Sequence, residues 1–153
     1  MPGLYSGLGA SILAVIVVII LIRSVLKKEQ GPDTMKKIAR QIQIGAAAFL
    51  KREYTYIGVV VAVIAVLMLI ARRYFGYQSA VSFVSGALVS GTAGYIGMTI
   101  ATRANVRTTF AAQNTGMKGA LGIAISGGAV MGLSVVGISL LGLLVLNFAY
   151  NIF

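Results

Sequence analysis

Four long stretches without a charged residue constrain what this chain can fold into. They cover residues 4–22, 54–71, 74–102 and 119–153. A helix crosses the core of a bilayer with roughly 20 apolar residues, so each stretch is long enough to cross once. We therefore predict an all-α membrane protein, a single transmembrane domain over residues 1–153, with spans at 4–22, 54–71, 79–102 and 119–146.

Composition agrees with this class and narrows the chemistry. The chain is 58% hydrophobic and only 10% charged, whereas a soluble domain has about a quarter of its residues charged. It has no cysteine and no histidine, and its three acidic residues are Glu29, Asp33 and Glu53. Oxygen ligands in this number are too few for a site that holds several divalent ions. We expect no catalytic, cofactor-binding or metal-binding residue in this chain.

The positive charge, a net +10, predicts orientation. Basic residues could indicate a nucleic-acid partner, but here they lie where the spans leave the bilayer, and topology explains them better. Eight lie between spans one and two, three between spans three and four, and two between spans two and three. Because basic loops stay in the cytoplasm, we predict that both termini lie outside. The first span has no basic residue before it, so we expect it to be a retained helix, not a cleavable leader.

The first basic loop has a helical pattern of its own. Gly31-Pro32-Asp33 breaks the chain, and Asp33 or Thr34 is expected to cap a new helix over residues 34–53. Apolar residues then recur at helical spacing, with basic and amide side chains between them. This amphipathic helix could lie on the headgroups, or it could extend span two into the cytoplasm and pack against protein. The small residues of its apolar side favour the second arrangement.

Small residues at every fourth position predict where the helices pack. Such spacing lets two membrane helices approach closely, and a pore lining is the less favoured interpretation. Spans one and two are surrounded by branched aliphatic residues and are expected to face lipid. The predicted packing residues are Ser82, Gly86, Ser90 and Gly94 in span three, and Ala124, Gly128 and Gly132 in span four.

Three segments resemble membrane-bound, ion-translocating pyrophosphatases. These are MKKIARQIQIGAAAFLKREY (35–54), GTAGYIGMTIATRANVRT (91–108) and GGAVMGLSVVGISLLG (127–142). They are similar to the entry of that family's second helix, its third helix and its fourth helix. The residues that match the family at the cytoplasmic end of span three are Arg103, Asn105, Arg107 and Thr108. Lys37 and Ile44 depart from the pattern, because the family commonly has glutamate at both positions.

The resemblance implies that this chain corresponds to the four N-terminal helices, on an outer ring, of a pyrophosphate-driven proton or sodium pump. In that family, magnesium and pyrophosphate are held by residues of later helices, and some members require potassium. We accordingly predict a scaffolding role without activity of its own. The alternative is a stand-alone membrane protein that associates with itself through spans three and four. The expected partners are the lipid bilayer and either the remaining helices or a second copy, since the family is typically homodimeric; the expected location is a prokaryotic cell membrane.

Overall fold

A computed structural model describes residues 2–150, without the side chains of residues 2, 3 and 75. These residues form four α-helices and no strand. The helices are α1 (Pro2–Leu26), α2 (Asp33–Ile70), α3 (Arg72–Asn114) and α4 (Gly116–Tyr150). Each helix is long and apolar enough to cross a membrane. The predicted all-α fold with four spans is confirmed, and the orientation stays a prediction.

The predicted cytoplasmic helix and span two form the single helix α2. Its 38 residues extend about 57 Å, which exceeds the roughly 30 Å of a bilayer core. Of the two arrangements considered above, α2 adopts the extension of span two. The capping prediction is wrong: the N-cap is Pro32, with no side-chain capping hydrogen bond. Asp33 is instead the first helical residue and forms an ion pair with Lys36 at 3.0 Å.

Three glycines with positive φ, Gly31, Gly76 and Gly116, lie at or near the connections between the helices. At Gly76 (φ 71°, ψ 156°) the backbone leaves helical geometry, and α3 is kinked there. A side chain is strongly disfavoured in this conformation, which is almost confined to glycine. Gly31 (φ 80°) lies in the connection between α1 and α2, and a Cβ there would lie 2.5 Å from the ring of Phe110. The first connection is thereby packed closely onto the carboxyl-terminal part of α3.

The third helix organises the bundle. It packs against both α2 and α4, and α1 packs mainly against α4, while α2 contacts neither α1 nor α4 within the described residues. The shared apolar core of α1, α3 and α4 consists of Val18, Val25, Ile100, Ala104, Ile123 and Val130. None of the residues in the most apolar window of α2 is buried, in keeping with the lipid-facing prediction for span two. For span one that prediction is wrong on one side of the helix, because Ser11 and Val18 are buried.

Candidate functional site

Arg107 is the buried charge of the described fold, with only 5% of its surface exposed. Its Nε donates a hydrogen bond to the Lys28 carbonyl oxygen at 2.9 Å, and its Nη2 donates to the Leu26 carbonyl oxygen at 3.2 Å. Its Nη1 donates to the carbonyl oxygen of Arg103, one turn earlier in α3, at 2.6 Å. The last carbonyls of a helix have no partner within the helix. Arg107 supplies partners at the end of α1 and ties that end to α3.

The four residues that match the family at the end of span three do not form one cluster. Arg103 contributes its backbone carbonyl to Arg107, while its side chain is exposed. Asn105 is exposed, and its carbonyl oxygen accepts a hydrogen bond from the Thr109 hydroxyl at 3.1 Å. Thr108 is half-buried. Of the four residues, Arg107 alone is buried.

A cleft of about 660 Å³ lies beside Arg107, where α1 and α3 end and α4 begins. Its charged lining residues are Lys28, Glu29, Arg107 and Lys118, and its apolar wall includes Val25, Phe110 and Ile123. Ser24, Asn114, Thr115 and Ser126 add hydroxyl and amide groups. The sequence predicts basic residues on this side of the bilayer, but it does not predict that three helix ends bring them around one cleft.

A second cleft, of about 620 Å³, lies between α2 and α3. At its edge the Tyr54 hydroxyl donates a hydrogen bond to the Gly91 carbonyl oxygen at 2.7 Å. A Cβ added at Gly94 would lie 3.2 Å from that hydroxyl oxygen. Gly94, one of the predicted packing residues, therefore lies against α2. The rest of the lining is mainly aliphatic, including Ile57, Val61, Val84 and Leu88, so this cleft presents little chemistry beyond the tyrosine.

Most of the other predicted packing residues lie on exposed faces of the described helices. Ser82 is half-buried, whereas Gly86, Ser90, Ala124, Gly128 and Gly132 are exposed. The described helices approach each other at different glycines. A Cβ added at Gly97 would lie 2.6 Å from the Met131 side chain. The corresponding distances are 2.9 Å from Gly127 to the Ala104 Cβ and 2.8 Å from Gly137 to the Ala14 Cβ. A packing role for the exposed small residues stays a prediction, which now concerns helices beyond these four.

The three acidic residues of the chain are not gathered at one place. Within residues 2–150, no three histidine, cysteine, aspartate or glutamate residues are grouped so that they could hold a metal ion. Glu29 lines the cleft beside Arg107, and Asp33 is paired with Lys36. Each magnesium ion at a phosphate substrate is usually held by one or two carboxylates together with the phosphate oxygens, so a site for several ions needs several carboxylates around one point. The donors of this chain do not fit that requirement.

Comparison with known proteins identifies the family. The family described as "Inorganic H+ pyrophosphatase" matches residues 12–152 of this chain. The chain belongs to this family. The resemblance noted from the three sequence segments is thereby confirmed.

Several curated members of the H+ pyrophosphatase family are similar to the chain. The "K(+)-insensitive pyrophosphate-energized proton pump 2" of Moorella thermoacetica is 43% identical over 119 residues, 78% of this chain. A "K(+)-insensitive pyrophosphate-energized proton pump" of Methanosarcina mazei is 46% identical over 108 residues, 71% of this chain. A "K(+)-stimulated pyrophosphate-energized sodium pump" of Thermotoga maritima is 45% identical over 108 residues, 70% of this chain. The matched parts cover 17%, 16% and 14% of these relatives, respectively.

Proposed function

We propose that this chain supplies the N-terminal, outer-ring helices of a pyrophosphate-driven proton or sodium pump. Its relatives include both proton and sodium pumps, so the family match does not choose between the two ions. The observation that carries the proposal is a family match over residues 12–152 in a chain with only three acidic residues. Hydrolysis and ion transport then belong to further helices, and this chain has a scaffolding role.

The exposed small residues support the presence of further helices. Gly86, Gly128 and Gly132 have no atom outside their own helix within 4 Å of the position that a Cβ would occupy. Glycines on a membrane helix allow another backbone to approach and gain dispersion contacts that lipid does not provide. We infer that the remaining helices of the pump cover these positions, in the cell membrane of a prokaryote. Magnesium would be bound by those helices.

The same exposed faces suit a second candidate function. A copy of this chain could pack on α3 and α4, which would give a self-associating membrane protein without catalysis. Native mass spectrometry in detergent separates the two candidates. Homo-oligomers that persist when the remaining helices of a related pump are added favour self-association.

Complementation tests the proposed function directly. The matched segment would be deleted from the Moorella thermoacetica pump, and the remainder would be expressed with and without this chain. Magnesium-dependent pyrophosphate hydrolysis is then measured in membranes. We expect no hydrolysis above background from this chain alone, and restored hydrolysis on co-expression. Turnover by the chain alone would contradict the scaffolding role.

A pair of double variants makes the complementation specific. Gly128→Val with Gly132→Val places bulk on the proposed contact face, and we expect it to abolish most of the restored activity. Gly9→Val with Gly58→Val is the matched control, because these glycines also have open space around them but lie on α1 and α2. We expect the control to restore hydrolysis as well as the unmodified chain. Equal loss in both would contradict a specific contact at α4.

A further inference from the structure

The cleft beside Arg107 carries a function that the pump assignment does not require. We propose that it binds the phosphate group of an anionic phospholipid, with Lys28 and Lys118 as the contacting cations. The acyl chains would follow the accessible lining along α4, past Gly122 to Ser126. The proposal uses only residues within this chain, so it does not depend on the proposed function.

Charge is the first argument for an anionic ligand. The lining contains three positive side chains, Lys28, Arg107 and Lys118, against one negative side chain, Glu29. Within residues 2–150 the single ion pair joins Lys36 to Asp33, so neither lysine of the cleft is neutralised by an acid. The hydrogen bonds of Arg107 go to backbone carbonyls. Arg107 therefore contributes charge, and the lysine ammonium groups remain able to donate to a phosphate oxygen.

Position in the bilayer is the second argument, and it favours a lipid over a free phosphate. Lys118 directly precedes predicted span four, and Lys28 follows predicted span one by six residues, so we expect both ammonium groups near the headgroups. The lining then continues to Ile123 and Ser126, inside predicted span four. A soluble anion would bind to the lysine side chains but leave the apolar lining of the cleft in contact with water. A phospholipid contacts the lysine side chains with its phosphate and the apolar lining with its acyl chains. Basic pockets between transmembrane helices bind anionic headgroups.

Native mass spectrometry of the purified chain tests the proposal with phosphatidylglycerol as the probe and phosphatidylcholine as the neutral comparison. We expect the chain to retain phosphatidylglycerol in preference. Each basic residue near an anionic lipid surface contributes a factor on the order of five in affinity. Lys28→Gln with Lys118→Gln should therefore weaken phosphatidylglycerol binding about 25-fold.

Two further variants separate the cleft from general surface charge. Lys37→Gln with Lys51→Gln removes the same charge from exposed positions outside the cleft, and we expect binding to change by less than about two-fold, since the lost charges lie away from the ligand. Lys28→Arg with Lys118→Arg keeps both charges and should retain binding. An equal loss in the cleft variant and the outside variant would overturn the proposal.

Competition distinguishes a lipid from a soluble anion. Inorganic phosphate and glycerol 3-phosphate carry the phosphate group without acyl chains, and we expect neither at millimolar concentration to displace phosphatidylglycerol. Displacement by either would show a soluble-anion site and overturn the lipid assignment.

A photoactivatable phosphatidylglycerol gives a test on the unmodified chain, which does not depend on whether a variant folds. Its crosslinks are expected at lining residues of the cleft. Crosslinks that fall only elsewhere would overturn the proposal.

Discussion

Arg107 shows how a single side chain can fix the relation between two helices. A buried charge is costly unless hydrogen bonds satisfy it, and this guanidinium meets three carbonyl oxygens. Arg107→Ala removes those bonds and leaves the carbonyls of Leu26 and Lys28 without this donor. We expect it to lower the free energy of unfolding by about 2–4 kcal/mol. Denaturation of the purified chain by SDS, followed by circular dichroism, measures the change.

Two substitutions give this residue-scale prediction its controls. Arg103→Ala removes an exposed side chain but keeps the carbonyl that Arg107 uses, so we expect a change within about 0.5 kcal/mol. Arg107→Lys keeps a charge but cannot reproduce the planar set of donors, and it should lie between the other two. Equal effects of Arg103→Ala and Arg107→Ala would show that Arg107 does not hold α1.

At the scale of one helix, two adjacent glycines of α4 are expected to behave differently. A Cβ at Gly127 would lie 2.9 Å from the Cβ of Ala104, while Gly128 has no atom outside its own helix within 4 Å of such a Cβ. Gly127→Val should therefore force α3 and α4 apart at a cost of about 1–3 kcal/mol. Gly128→Val makes the same change in helix propensity without that contact. The difference between the unfolding free energies of the two variants in detergent measures the cost of disturbing the contact between Gly127 and Ala104. Equal values would contradict a close contact at Gly127.

The helices show how much of the fold could be predicted from sequence. The four spans follow from the length of the uncharged stretches, and the single helix α2 follows from an apolar pattern that no helix breaker interrupts after Pro32. The choice between Gly127 and Gly128 depends on Ala104 of α3, and hydropathy along α4 contains no information about that partner. Likewise, Arg107 binds carbonyls 79 and 81 residues away. The sequence around Arg107 indicates a basic helix end, but it does not indicate which carbonyl oxygens accept its hydrogen bonds.

At the scale of the whole molecule, the prediction concerns the orientation of the chain in the membrane. Eleven basic residues lie in the two loops assigned to the cytoplasm and two in the remaining hairpin. Translocating basic residues near a span is unfavourable, so this asymmetry should place both termini outside. It would also place the cleft beside Arg107 in the cytoplasmic leaflet, because that cleft lies where α1 ends and α4 begins.

Cysteine accessibility tests this orientation cleanly, because the chain has no cysteine of its own. Tyr74→Cys reports on the hairpin between α2 and α3, where Tyr74 is 87% exposed. Gln113→Cys reports on the opposite side, near the exposed end of α3. Neither substitution alters the charge that sets topology. In intact cells a membrane-impermeant maleimide should label the first variant alone, and permeabilised cells should label both. The reverse pattern would invert the assignment and move the proposed lipid site to the outer leaflet, since the three helix ends that build it cannot change sides separately.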